Sequence, residues 1–302
     1  MLIEAAAASR EAAPAKLNLY LHVTGRRPDG YHLLESLVAF ADIGDVITAV
    51  AAPPGVLDLT TTGPFATAID GPAQDNLVLR AARGMVAAVG GGQGARLTLD
   101  KRLPVASGLG GGSADAAAAI RALEALWHRR VPAADRQVLA VALGADVPVC
   151  LSGQAAHMAG IGEVVTPLAT AVPTLGLVLV NAGVALSTPA VFAALAGRFG
   201  PADRLDPVPA DADSFVAALR RRRNDLQAPA MALCPAVAQV LDLLATTPEI
   251  RLARMSGSGA TCYGLYPDRA AAAAAAGAIS AARPDWWVRD GALSGGQGAP
   301  RA

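Results

Sequence analysis

The chain has 302 residues, with 25 Lys plus Arg against 25 Asp plus Glu, and a formal net charge of zero. Hydrophobic residues make up 53% and charged ones 17%, which excludes wholesale disorder and allows a real core. Lacking a positive excess, the chain has no electrostatic footprint for coating nucleic acid, so any anionic ligand must be held by a local device.

In chain order, the alternation from Leu17 to Val23 between Pro14 and Gly25 predicts a strand, followed by the turn-rich GRRPDG of Gly25 to Gly30. Leu33 to Phe40 is ambiguous. Val46 to Val50 and Leu57 to Thr62 read as short strands. Asn76 to Val89 has helical spacing, with Leu77, Leu79, Ala81, Ala82 and Met85 among its apolar positions, and ends at Gly90 to Gly92. A strand at Arg96 to Asp100 leads through Lys101 into a glycine-rich segment. Helices are expected at Ala116 to Trp127 and Asp135 to Leu143. Beyond about residue 163 come a buried strand at Leu175 to Val180, a helix at Pro189 to Ala196 and a polar loop over 200–213. Helices follow at Ser214 to Arg223 and Pro235 to Ala245, strands at Arg251 to Met255 and Cys262 to Tyr266, and a helix at Arg269 to Arg283. The tail from about Ser294 to Ala302 reads as disordered. The mixture gives an α/β (α+β) class.

The three cysteines, Cys150, Cys234 and Cys262, fit neither a zinc spacing nor a secreted disulfide framework, and no protein-built metal site is visible. The N-terminus carries Glu4 and Glu11 and no basic region before an apolar one, unlike a secretory signal. Thr166 to Gly197 lacks charge, but Pro167, Pro173 and Pro189 divide it below the length of a spanning helix. The expectation is a soluble, cytoplasmic protein with no membrane and no nucleic-acid partner.

Pro104 to Ala116 reads PVASGLGGGSADA and opens into a helix. Gly108, Gly110, Gly111 and Gly112 allow a backbone approach that side chains would block, and the helix start offers unpaired N–H groups. Ser113 adds a hydroxyl for a phosphate oxygen or a metal-bound water. No lysine follows the glycines as a Walker A loop requires, and Ser113 stands where a dinucleotide fingerprint needs glycine, against a dehydrogenase. A phosphate loop of a third kind is left, or a flexible turn capping a helix. Taken singly, Lys16 in PAKLNL is a surface lysine or a functional cation, and Asp146 in LGADVPVC a turn residue or a functional acid. MSGSGATC at 255–262 is a hairpin turn or a second anion-friendly loop.

Together these segments resemble the three motifs of the GHMP kinase superfamily. PAKLNLYLHVTGRRPDGYH, DNLVLRAA, KRLPVASGLGGGSADAAAAI, LGADVPVC, RNDL and SGSGATCYG stand in the order of its members that act on 4-diphosphocytidyl-2-C-methyl-D-erythritol, in the non-mevalonate route to isoprenoids. The likeness runs from about residue 13 to about 268. Ala114 departs from the usual serine, and Val105-Ala106-Ser107 from a glycine-richer lead-in.

The resemblance implies a two-domain GHMP kinase-like fold with the active site in the inter-domain cleft: an ATP-binding domain over 1–163 and a substrate-binding domain over 164–302. It implies ATP-dependent phosphorylation of the substrate's 2-hydroxyl. Asp146 would take the hydroxyl proton, and Lys16 would orient Asp146 and the hydroxyl and stabilise charge. Pro104, Val105, Ala106, Ser107, Gly108, Leu109, Gly110, Gly111, Gly112, Ser113 and Ala114 would cradle the ATP phosphates, with Mg²⁺ brought by the nucleotide. Asn76 and Lys101 would line the adenine side. Tyr31 and His32 would take the cytidine, with Phe192 as the second face of a sandwich, and Asn18 would bond the substrate or brace Asp146. The alternatives are a mevalonate- or homoserine-type kinase of the same superfamily, or a nucleotide-binding regulatory protein without catalysis, against which the presence of both Lys16 and Asp146 argues.

Overall fold

Alternation along Lys16-Leu17-Asn18-Leu19-Tyr20-Leu21-His22-Val23 puts four leucine or valine side chains on one face of an extended chain and four polar ones on the other. The computed structural model, which describes residues 8–294, extends this segment into β1 (Ala8–Arg26), with both faces buried. The expected disorder of the tail beyond Ser294 falls outside the described residues.

The elements that follow are β2 (His32–Ala51), β3 (Leu57–Thr62), α1 (Leu77–Ala88), β4 (Ala95–Asp100), α2 (Gly111–Leu126), α3 (Ala133–Leu143), α4 (Val147–Ser152), β5 (Ala156–Gly160), β6 (Val164–Pro167) and β7 (Leu175–Asn181). Then come α5 (Thr188–Ala194), α6 (Ala212–Arg220), α7 (Gln227–Leu233), α8 (Pro235–Ala245), β8 (Leu252–Met255), β9 (Cys262–Tyr266), α9 (Arg269–Ala282) and β10 (Trp287–Ser294). The mixed α/β class holds. The ambiguous Leu33 to Phe40 and the short strand at Val46 to Val50 are one continuous strand, β2. Helix α2 begins five residues earlier than its alanines suggest, inside the glycine run. Sequence reading missed α4, α7, β5, β6 and β10, which are short or lack clean periodicity.

Two compact units share the chain, and they do not divide at residue 163. Among the described residues, one comprises 8–14, 44–105 and 111–152; the other comprises 15–43, 106–110 and 153–294. The long strands β1 and β2 each contribute a segment to both, which no single cut in the sequence can reproduce.

In the first unit β4 lies between β3, parallel to it, and the second half of β2, antiparallel from Val46↔Asp100 to Ala51↔Ala95. Helix α1 is capped by Asn76, whose Oδ1 accepts the Val78 N–H at 2.9 Å, and it buries Val78, Leu79, Ala81, Ala82 and Met85. Helix α2 is buried along Ala114–Ile120; its run of alanines lets α1 and α4 pack closely.

In the second unit the order β2-β10-β7-β9-β8 is antiparallel throughout, and β5 pairs with β2 and β6. Leu21 and Val23 of β1, Val178 and Val180 of β7, Val237 and Val240 of α8, and Ala275 and Ile279 of α9 share its core. Among the described residues no single helix is long and apolar enough to cross a membrane.

Two glycines of this unit test its packing from opposite directions. A Cβ on Gly176 of β7 would overlap the Asp268 carbonyl, whereas one on Gly277 of α9 meets nothing within 4 Å. Gly277→Ala is expected to raise the unfolding free energy by about 0.5–1 kcal/mol through helix propensity, and Gly176→Ala to lower it. Denaturant titration of both variants checks the signs, and a Gly176→Ala variant as stable as the parent contradicts the packing described.

Candidate active site

The polar face of β1 is dry: Lys16, Asn18, Tyr20 and His22 are all buried. Burying such groups is costly unless they are bonded, and each makes at least one bond, although His22 Nε2 has no partner. Lys16 Nζ donates to Asn18 Oδ1 at 3.0 Å, and Asn18 Nδ2 donates to Ser36 Oγ at 2.8 Å. Ser36 donates in turn to the Tyr20 carbonyl at 2.6 Å, and the Tyr20 hydroxyl donates to Glu35 Oε1 at 2.9 Å. Burial pushes Glu35 up, but His22 and Tyr20 overcome it and hold the carboxyl below its ordinary value. Asn18, expected to bond substrate or brace Asp146, thus spends both ends of its amide on Lys16 and Ser36.

The glycine run is fastened to the same unit through residues 106–110. The Leu109 carbonyl accepts the Lys16 N–H at 2.9 Å, and the Ser107 carbonyl accepts the Thr261 N–H at 3.0 Å. Ser256 donates its hydroxyl to the Gly108 carbonyl at 2.9 Å. Gly108 has φ +78°, and a Cβ there would overlap the Ser256 carbonyl, so both backbone conformation and close approach demand glycine. The segment at 255–262 is the β8–β9 connection and also the brace of the glycine run. Asn224 steadies it, donating to the carbonyls of Met255 and Gly257 at 2.9 and 2.8 Å. Along the run, Val105, Ala106 and Gly112 are exposed, Gly108, Gly110, Gly111 and Ser113 half-buried, and Pro104, Ser107, Leu109 and Ala114 buried.

In the first unit, the first turn of α2 rests on a buried ion cluster. Lys101 Nζ donates to Asp45 Oδ2 at 2.6 Å and to Asp115 Oδ2 at 2.8 Å. Asp45 Oδ1 also accepts the Leu103 N–H at 2.8 Å. A Cβ on Gly111 would come to 3.0 Å from Lys101 Nζ. The Lys101 side chain, expected on the adenine side, is therefore turned inward beneath the helix start. Asn76 caps α1. Asp146 is half-buried immediately before α4, and its carbonyl accepts the Cys150 N–H at 3.2 Å.

The second unit also holds a cavity of about 780 Å³ whose lining includes Arg26, Tyr31, His32, Thr188, Phe192 and Phe199. This brings together the three residues expected to take a pyrimidine, in a different order of stacking. Phe192 lies against His32, with ring centroids 4.8 Å apart and planes 28° from parallel, and Phe199 meets the same imidazole edge-on at 5.9 Å. Tyr31 is 60% exposed. The reason is local: His32 opens β2, while Tyr31 is the last residue of the turn. Thr188 of the lining shares a 2.6 Å hydrogen bond with Ser258 of the glycine-loop brace. Sequence reading missed Asp45, Asp115, Ser36, Ser256 and Phe199. Ser256 and Asp115 lie inside motifs, SGSG and GGGSAD, and the others carry no signal.

Burial, and then the Arg26 guanidinium, push His32 below its ordinary 6.5. His32 is therefore neutral at pH 7 and able to accept as well as donate a hydrogen bond. Histidine-ring NMR should place its titration midpoint below 6.5, and Arg26→Gln should move that midpoint upward; a midpoint above the ordinary value contradicts this environment.

Comparison with known proteins agrees with this construction. The family models for the GHMP kinases N terminal domain and GHMP kinases C terminal match residues 76–154 and 210–285. A 4-diphosphocytidyl-2-C-methyl-D-erythritol kinase of Cereibacter sphaeroides is 54% identical over 285 residues, covering 94% of this chain and 98% of the relative. One of Paramagnetospirillum magneticum is 52% identical, covering 91% and 95%. A crystal structure of 4-(cytidine 5'-diphospho)-2C-methyl-D-erythritol kinase superposes with a TM-score of 0.79 at 35% identity, over 96% of this chain and all of that one. Homoserine kinase from Cytophaga hutchinsonii, at 17% identity and a TM-score of 0.71, shares the fold. With its three motifs in order and identity of this extent, the chain belongs to the 4-diphosphocytidyl-2-C-methyl-D-erythritol kinase family of the GHMP kinases.

Proposed function

We propose that this protein transfers the γ-phosphoryl group of ATP to the 2-hydroxyl of 4-diphosphocytidyl-2-C-methyl-D-erythritol, giving ADP and the 2-phosphate, in the cytoplasm. The observation that carries the substrate choice is the cavity in which His32, Phe192 and Phe199 gather beside Tyr31. Aromatic faces take a pyrimidine ring by stacking, and a neutral imidazole can bond its polar edge. A substrate as small and aliphatic as mevalonate or homoserine has no use for such a wall.

The nucleotide phosphates fit the other feature. Gly108 leaves backbone where a Cβ would overlap the Ser256 carbonyl, a Cβ on Gly111 would press on Lys101 Nζ at 3.0 Å, and the first turn of α2 presents N–H groups that no preceding turn can satisfy. In this reading residues 104–114 cradle the phosphates, with Ser113 bonding a phosphate oxygen. Asn76 lines the adenine side, and Lys101 supports the cradle from below. In the same reading Mg²⁺ comes with the nucleotide, held by its phosphate oxygens. When bound, it neutralises charge on the phosphates.

Asp146 accepts the proton of the 2-hydroxyl as that oxygen bonds to the γ-phosphorus and the bond to ADP breaks. Lys16, held in a water-poor setting by Asn18, stabilises the negative charge that develops. Tyr31 and Phe192 hold the cytosine and His32 reads its edge.

Two variants separate these roles. Asp146→Asn should lower kcat by at least about a hundredfold, the usual worth of a positioned base; a loss under tenfold removes Asp146 from that role. Phe192→Ala should raise KM for the cytidine substrate by up to about tenfold, as expected for one lost aromatic pair, and leave KM for ATP unchanged. An equal rise in both would make Phe192 a packing residue only.

A further inference from the structure

Asp115 is an odd neighbour for a phosphate cradle. It lies one turn into α2, fully buried, and shares the Lys101 ammonium with Asp45. One cation thus faces two carboxylates. Asp45 has its second oxygen satisfied by backbone N–H groups of Arg102 and Leu103. Asp115 does not: its Oδ1 is buried with no hydrogen-bond partner. An ionised oxygen in that position is neither solvated nor paired, and a proton on it is the cheaper solution.

The other charged groups on the packed elements do not help it. Arg80 and Arg83 of α1 bond to the carbonyls of Ala142 and Gln74. Arg96 and Arg102 pair with Asp58 and Asp100, Arg121 with Glu11, and Arg136 with Glu124, while Asp135 of α3 is exposed. Burial first, and then the Asp45 charge, push Asp115 up to about 8 despite the pull of Lys101.

We propose that Asp115 is a positioning residue that takes up a proton from solvent when a nucleotide seats on the first turn of α2, so that nucleotide affinity falls as pH rises. This rests on the phosphate-cradle reading above. With Asp115 ionised the cluster carries one negative charge beneath the cradle; with Asp115 protonated it carries none. A polyanion above it favours the protonated form, and by linkage the protonated form favours the polyanion. The sign is fixed: the carboxyl value is raised, so affinity is highest below it and is lost as pH rises through it.

The test measures the Kd of Mg-ADP by calorimetry at pH 7, 8 and 9, where the phosphates of the Mg complex are already ionised. Near pH 8 the measurement is repeated in two buffers of different ionisation enthalpy. The parent should bind about three- to tenfold more weakly at pH 9 than at pH 7 and take up about 0.3 to 0.5 of a proton per site near pH 8. Asp115→Asn, which keeps the shape, should bind with no such pH dependence and no uptake. Asp45→Asn, which lets Lys101 draw the Asp115 carboxyl downward, should lose the uptake too. Equal pH slopes in parent and Asp115→Asn would overturn the proposal while leaving the cradle intact. Failure of the folded parent to bind Mg-ADP at any pH would overturn the nucleotide reading itself.

Discussion

Both lysines of this chain are buried, and a buried ammonium must be compensated. That requirement organises both units. Lys101 needs carboxylates and finds Asp45 on β2 and Asp115 on α2, which pins the start of α2 to the strand beneath it. Lys16 needs acceptors and receives one from Asn18, which then reaches Ser36 on the neighbouring strand. Neither arrangement is the cheapest way to stabilise a fold, since an apolar side chain would serve as well. Both hold their side chains in one fixed geometry away from water.

A chain of zero net charge that handles two polyanions must therefore concentrate its means. Gly108 admits backbone where a side chain would collide, and the helix start supplies N–H groups without adding a cation. The β8–β9 connection braces residues 106–110 through Ser256 and is itself steadied by Asn224. Its next serine, Ser258, is bonded to Thr188 in the wall of the aromatic cavity. One loop of six residues thus braces the glycine run and touches the wall of the aromatic cavity, which explains why a segment that looks like a plain hairpin turn carries so specific a sequence.

Much of this is legible in the sequence. The alternation of PAKLNLYLHV gave β1 and its polar face, and the glycines before an alanine-rich run gave α2. The order of the motifs gave the family. What stayed hidden has physical causes. Asp45 and Asp115 are single acids with no periodic signature, and their partnership with Lys101 exists only after the chain has brought residues 45, 101 and 115 together. The stacking partner of Phe192 depends on which of two adjacent residues, Tyr31 or His32, enters the strand, and a one-residue step reverses the side-chain direction. The interleaving of the two units follows from strands of 19 and 20 residues, long enough to serve both.

The account stands or falls on the identity of the phosphate acceptor. The most direct measurement incubates the protein with Mg-ATP and equal amounts of 4-diphosphocytidyl-2-C-methyl-D-erythritol, mevalonate and homoserine, and follows new phosphomonoesters by ³¹P NMR. A single new monoester is expected, on the 2-position of the diphosphocytidyl compound, with its diphosphate resonances retained. A monoester on mevalonate or homoserine, with the diphosphocytidyl compound untouched, would contradict it.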